Sequence, residues 1–236
     1  MNPLTYDAFA SRPELLKKTL AREVYLKNRD KIKIRNEDIA IKNLIHIFDE
    51  VLKLSIRKGF HAMTMRNISE ATGMSLGSLY SYFQSKEELL EMIQEQGRAM
   101  VEQIFMNSGE SHVNAWEKLQ WNIRMHLYLT ELLQPWFYVT HMESQHFSKA
   151  RRERLIDGEF FIENIFLTCL KEGMTQEIFK IQNPSITVSF LIAMLQDWYL
   201  KHWKHKRRGI GVDDYYVELI AWIQAVILPD GRPPVS

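Results

Sequence analysis

The sequence is short of cysteine, of glycine and of charge of one sign, and each shortage excludes something. A single cysteine, Cys169, in 236 residues leaves no internal disulfide and no cysteine-built zinc site. A reducing compartment is the natural setting for such a chain. There are 10 glycines and 7 prolines, and no Asn-Gly hairpin signal stands out. The longest apolar runs, near Val188–Leu195 and Leu219–Leu228, fall well short of a membrane span and carry polar interruptions. The N-terminus has charged and polar residues where a signal peptide needs an apolar stretch. These features predict a cytoplasmic protein with no membrane segment. The net charge is only +1, so any anionic partner must be argued from where the charges lie.

Catalytic patterns are also missing. The sequence has no glycine-rich phosphate loop, no Gly-x-Ser-x-Gly elbow and no His-Glu-x-x-His. His202 and His205 stand three apart without an evident third ligand, and His141 and His146 have Glu143 between them but no matching partner. No enzyme activity, metal or cofactor is expected.

Helical periodicity is what the sequence does have. Ile41, Leu44, Ile45, Phe48 and Leu52 recur at helix spacing, as do Val188, Leu191, Ile192 and Leu195, and then Tyr216, Leu219, Ile220, Ile223, Val226 and Ile227. Breaks are expected at Gly59, Gly73, Asn107–Gly109, Pro135, Gly173, Pro184 and Gly209–Gly211, giving roughly nine helices after residue 36.

Charge is unevenly placed. Residues 1–35 hold nine Lys and Arg against four acids, whereas residues 36–90 hold six against seven. The extension reads either as a solvated, partly helical tail or as an arm that tracks phosphates or enters a minor groove.

The segment Gly59–Leu90 carries the clearest pattern. Gly59 suits a helix end, Thr64 an N-cap for Met65–Thr72, Gly73 a tight turn, and Ser75 the cap of a short helix over Leu76–Tyr82. Ser85 and Glu88 form a capping-box pair for the next helix. Helix, short turn and helix packed on the Ile41–Leu52 helix make a helix-turn-helix. The second helix is expected to expose Ser75, Gly77, Ser78, Ser81 and Tyr82, with Leu79 and Phe83 turned inward. Lys86 falls in a helix's first turn, where a phosphate is favoured.

The residues Gly59, Phe60, Thr64, Arg66, Ile68, Gly73, Ser75, Gly77, Leu79–Tyr80, Tyr82–Phe83 and Ser85–Lys86–Glu87 resemble the TetR family of regulators, over about 50 residues from Ile39 to Leu90. The resemblance implies that Thr64, Ser75, Ser78, Tyr80, Tyr82 and Lys86 touch DNA, mostly at phosphates; Arg66, Leu76, Gly77 and Ser81 complete the expected DNA-binding set. Leu76, Gln84 and Ser69 depart from the common polar or basic residue, Pro and Ala; Leu76 suits a thymine methyl better than a base hydrogen bond.

The resemblance also implies a C-terminal ligand-binding core and a dimer made by the last two helices. The segments Pro184–Lys206 and Asp213–Leu228 are apolar on more than one face, which is what packing on both a domain and a partner requires. The candidate effector-lining residues are Trp116, Trp121, Met125, Tyr128, Trp136, Phe137, Phe161, Phe166 and Trp198, with Met142 and Phe160 beside them; this set suits a hydrophobic ligand. The run Lys201–Tyr216 holds Lys201, Lys204, Lys206, Arg207 and Arg208. It reads as cations at a helix C-terminus or as a site for an anionic head group, and it resembles TetR-type regulators that sense acyl-CoA thioesters. A cationic ligand would instead need Glu131, Glu143 or Asp197.

The expected protein is therefore all-α: an N-terminal three-helix helix-turn-helix domain plus a C-terminal helical ligand-binding and dimerisation domain. The expected division is a basic extension over 1–35, the DNA-binding domain over 36–84 and the ligand-binding domain over 85–236. The expected partners are a double-stranded DNA operator, a second copy of the chain and a small-molecule effector.

Overall fold

The structure is a computed structural model that describes residues 5–10, 13–106, 114–143 and 149–229. The described residues form helices and no strands. In order these are α1 (Tyr6–Phe9), α2 (Pro13–Lys27), α3 (Glu37–Lys58), α4 (Met65–Thr72), α5 (Leu76–Leu79) and α6 (Lys86–Met106). They continue as α7 (Ala115–Leu132), α8 (Gln134–Glu143), α9 (Lys149–Thr175), α10 (Pro184–Leu200), α11 (His202–Arg207) and α12 (Val212–Ile227). No helix among the described residues is long and apolar enough to cross a membrane.

The chain forms two compact units. One comprises Arg12–Val101 with Pro135–Arg152, and the other Met1–Ser11, Glu102–Gln134 and Glu153–Ser236.

In the first unit α3 is the central helix. Asn36 caps its start by accepting the Ile39 N–H, and Ala40, Ile41, Leu44, Ile47, Val51 and Leu54 are buried along it. This stripe is turned round the helix from the expected one: Ile41 and Leu44 are shared, and Ile45, Phe48 and Leu52 lie only half-buried. The reason is that α2 also packs on α3. Ala21, Val24 and Tyr25 are fully buried there, and Lys17–Asp49 (2.9 Å) and Arg22–Glu37 (2.8 Å) link the helices at their surface. Within residues 17–35, Ala21, Val24, Tyr25 and Ile32 are thus packed into this unit. Gly97 on α6 serves as a seat for Trp136, because a Cβ there would come within 2.2 Å of the indole. The same indole N–H donates to the Ile93 carbonyl at 3.0 Å.

In the second unit α7 is buried on most faces, and α10 and α12 both pack on it. Trp116 meets Phe179 edge-on, and the Arg124 guanidinium lies over the Tyr216 ring at 4.3 Å. The break expected at Gly173 falls two residues later, where α9 ends at Thr175, and Gly173 itself lies under the Phe179 ring. Ile186 and Phe190 on α10, with Val217, Trp222 and Val226 on α12, remain exposed.

Candidate functional site

The helix-turn-helix is built by short-range capping. Thr64 is extended (φ −118°, ψ 163°) and its hydroxyl accepts the Asn67 N–H, while the Asn67 side chain reaches back to the Thr64 N–H. This reciprocal box starts α4. Gly73 closes α4 in the left-handed region at φ +65°, where a side chain would be strained. Ser75 then accepts the Ser78 N–H and starts α5.

The recognition helix is shorter than the sequence suggested. It ends at Leu79, and Tyr80–Tyr82 continue as turn. Leu79 and Phe83 are buried, as expected. Tyr82 departs from its expected exposure: it is fully buried, and its hydroxyl accepts from the Asn43 side chain at 2.7 Å. The tighter turn after α5, in which the Tyr82 N–H donates to the Leu79 carbonyl at 2.9 Å, brings Tyr82 round to the Leu79 side, and Asn43 on α3 supplies the polar partner that a buried hydroxyl needs. Thr64, Arg66, Ser75, Gly77 and Tyr80 are exposed, and Leu76, Ser78 and Ser81 half-exposed.

Lys86 opens α6, as expected, and is half-buried. Its ammonium donates to the carbonyls of Phe60 (3.3 Å), His61 (2.8 Å) and Met63 (2.7 Å) and lies 5.2 Å from the Phe60 ring centre. Glu143 holds the same loop by accepting the buried Phe60 N–H at 2.8 Å. Together they hold the loop that precedes Thr64 at the start of α4.

Two contributors escaped the sequence reading. The Lys33 N–H donates to the Ser81 carbonyl at 2.8 Å, and Asn43 holds Tyr82. Both lie far from their partners in sequence and belong to no local motif.

The candidate effector-lining residues divide between the units. Trp136 and Phe137 belong with the helix-turn-helix, where Trp136 sits on Gly97. Trp116, Trp121, Met125, Tyr128, Phe161, Phe166 and Trp198 belong to the second unit. Of these, Trp121 and Phe161 are half-buried and the others buried. Phe166 lies 6.3 Å from the ring of His126, whose wholly desolvated imidazole has its pKa depressed to about 4 and is therefore neutral at pH 7. Of the other residues mentioned with this set, Phe160 is exposed and Met142 lies in the first unit.

Lys201 and Lys204, among the cations expected at a ligand head, and the carboxylates of Asp197 and Glu131 have partners within the protein. Asp197 binds Lys201 (2.9 Å), Lys204 (2.6 Å) and His205 (2.9 Å). Burial works against its ionisation, but the hydrogen bonds from Lys204, Lys201 and His205 prevail and bring its pKa to about 2. Burial outweighs Asp197 at His205 and lowers that imidazole's pKa, so their contact is a neutral ring donating to a carboxylate. Glu131 accepts the Trp198 indole N–H at 3.0 Å and lies 3.1 Å from His202. Lys206, Arg207 and Arg208 remain exposed. His141 and Glu143 form no metal-binding cluster among the described residues, and His146 lies outside them.

Residues 47–93 match the family described as bacterial regulatory proteins, tetR family, and residues 112–205 match the tetracyclin repressor-like C-terminal domain. No curated protein matches the chain. Among solved structures, the ketosteroid transcriptional regulator KstR2 of Mycobacterium tuberculosis superposes with a TM-score of 0.66 at 18% identity, over 79% of this chain and 95% of that one. FadR of Bacillus subtilis, in complex with stearoyl-CoA, gives 0.57 at 19% identity, over 75% and 95%. AibR, in complex with isovaleryl coenzyme A and operator DNA, gives 0.66 at 18%, over 76% and 97%. At such identities the likeness is one of fold.

Proposed function

This chain belongs to the TetR family of transcriptional regulators, and from that premise we propose that it is a repressor that binds a near-palindromic operator as a homodimer and leaves it when a hydrophobic effector binds. The observation that carries the reading is the accessible surface of α4 and α5, with Arg66, Ser75, Gly77 and Tyr80 outward and Leu79, Tyr82 and Phe83 locked inward. Small polar residues let a backbone approach a duplex closely, and a rigid inward anchor fixes the helix for the major groove. The cap-starting Thr64 and Ser75 join the same contact surface.

The dimer is proposed through α10 and α12. Ile186, Phe190, Val217, Trp222 and Val226 are large apolar side chains in water on those two helices, and a second copy offers the matching face. The effector is proposed to be apolar, with an acyl-CoA thioester as the leading class. The aromatic side chains gathered in the second unit support this, as do the acyl-CoA complexes of FadR and AibR. Lys206, Arg207 and Arg208 are the cations left for an anionic head, since Lys201 and Lys204 serve Asp197. The role is one of binding in the cytoplasm, without catalysis or cofactor.

The test begins with selection of a duplex from a random pool by the purified protein, followed by anisotropy titration. A palindromic consensus bound by two chains is expected; an asymmetric half-site bound by one chain overturns the dimer reading. Long-chain acyl-CoA, the free acid and a lipophilic cation are then titrated into the complex. Release requires the ligand to favour the non-binding conformation, so release and not affinity is the readout. Release by the cation alone overturns the effector class.

A further inference from the structure

We infer that the segment Arg29–Arg35 is a second DNA-contacting element: an ordered ledge of cations, fixed beside the recognition helix, that grips the phosphate backbone. The inference rests on the operator-binding reading above.

The helix-turn-helix is nearly devoid of positive charge. Between Thr64 and Ser85 the sequence holds one cation, Arg66, and one acid, Glu70. Lys86, next in line, spends its ammonium on three loop carbonyls. A duplex is a dense polyanion, and affinity for it depends on the cations brought against it. Arg29–Arg35 supplies four of them, Arg29, Lys31, Lys33 and Arg35, against the single acid Asp30.

The segment is held in place. The Lys33 N–H donates to the Ser81 carbonyl at 2.8 Å, which fastens it directly to the turn that ends the recognition helix. The hydroxyl of buried Tyr25 lies 3.2 Å from the carbonyls of both Ile34 and Arg35. Ile32 is fully buried beneath it. Burial alternates along the segment: Ile32 in and Ile34 half-in, with Lys31, Lys33 and Arg35 exposed. The cations therefore share the outward side. Lys31 reaches Glu88 only at 3.8 Å and stays 59% exposed, and the Arg35 guanidinium lies 3.3 Å from the Arg29 carbonyl. Lys33 is attached through its backbone, so its side chain takes no part in the docking. A ledge of this kind adds affinity without reading sequence, because phosphates carry no base identity.

The test is Lys33→Gln combined with Arg35→Gln in the full chain. Binding to the selected operator and to a mixed-sequence duplex of equal length is followed by anisotropy across a salt series. The thermal unfolding midpoint should be unchanged. Two cations per subunit, doubled in a dimer, should make the slope of log affinity against log salt shallower by about 3 to 4, with affinity falling alike on both duplexes. A control, Lys53→Gln with Lys171→Gln, removes the same charge elsewhere and should keep the slope. An unchanged slope in the test variant, or an equal change in the control, overturns the ledge and leaves operator binding standing. A wild-type protein that binds neither duplex overturns both.

Discussion

The backbone N–H of Tyr6 donates to both oxygens of the Asp213 carboxylate, at 3.3 and 3.2 Å. The Tyr128 hydroxyl donates to the same carboxylate, and the rings of Tyr6 and Phe9 pack on Tyr128. Burial, then Asp213 itself, raises the Tyr128 pKa, so this hydroxyl remains a donor at all ordinary pH. Asp213 thus clips α1 to the start of α12. Asp213→Ala should leave Tyr128 without its acceptor and cost about 1–3 kcal/mol in denaturant unfolding. It should also release residues 5–10, read as faster amide exchange there. Equal protection in the two proteins would show that ring packing alone holds the segment.

Tyr82→Phe removes the acceptor of the Asn43 amide. The expected cost is about 1 kcal/mol of stability, with operator affinity of the folded protein nearly unchanged. Tyr80→Ala, on the exposed side of the same turn, should do the opposite: lower operator affinity with the melting curve unmoved. A large affinity loss in Tyr82→Phe at full folding would return that hydroxyl to the DNA surface.

The difference between these two tyrosines shows where sequence reasoning reached its limit. The caps at Thr64 and Ser75 and the turn at Gly73 were legible because each is settled by residues within a few positions. Leu79 and Phe83 were legible as apolar residues at helix spacing. Tyr82 has an apolar body and a polar tip, so its side of the helix depends on whether another helix supplies a partner. Asn43 does, from a distance of 39 residues. Trp136 was placed with the effector lining by composition, yet it is half-buried against Gly97 of α6 in the other unit. The packing of α2 on α3 was equally hidden, because the many charges of residues 1–35 mask the short buried set Ala21, Val24 and Tyr25.

Lys86→Met separates positioning from phosphate contact. The side chain's three carbonyl bonds hold the loop before Thr64. Their loss should lower the unfolding free energy by roughly 1.5–3 kcal/mol, the range for a charged hydrogen-bonding group. Operator affinity should fall because Thr64 and α4 lose their fixed start, but the salt slope should hold. A slope shallower by about 2 for a dimer would instead mark one phosphate contact per subunit.

The last prediction concerns acid sensitivity. His126 is desolvated on α7 and its folded-state pKa is near 4, against 6.5 in an open chain. Between those values the unfolded chain binds a proton that the folded chain refuses. Stability therefore rises with pH across this window and is lost as pH falls through it. His205, also lowered by burial, adds in the same direction. Asp197 acts in a lower window: its contribution is complete above about 3.8 and disappears as pH falls toward 2. Urea unfolding at pH 7 and pH 5 should show the wild-type protein losing about 2 kcal/mol through His126 alone. His126→Gln removes that titration, so its loss over the same interval should shrink by that amount, leaving the His205 part. The comparison is between two pH values within one variant, so a constant cost of placing glutamine in the core cancels. An equal loss in the variant and the wild-type protein would mean that His126 is already solvated in the folded state, and that its contact with Phe166 does not exclude water.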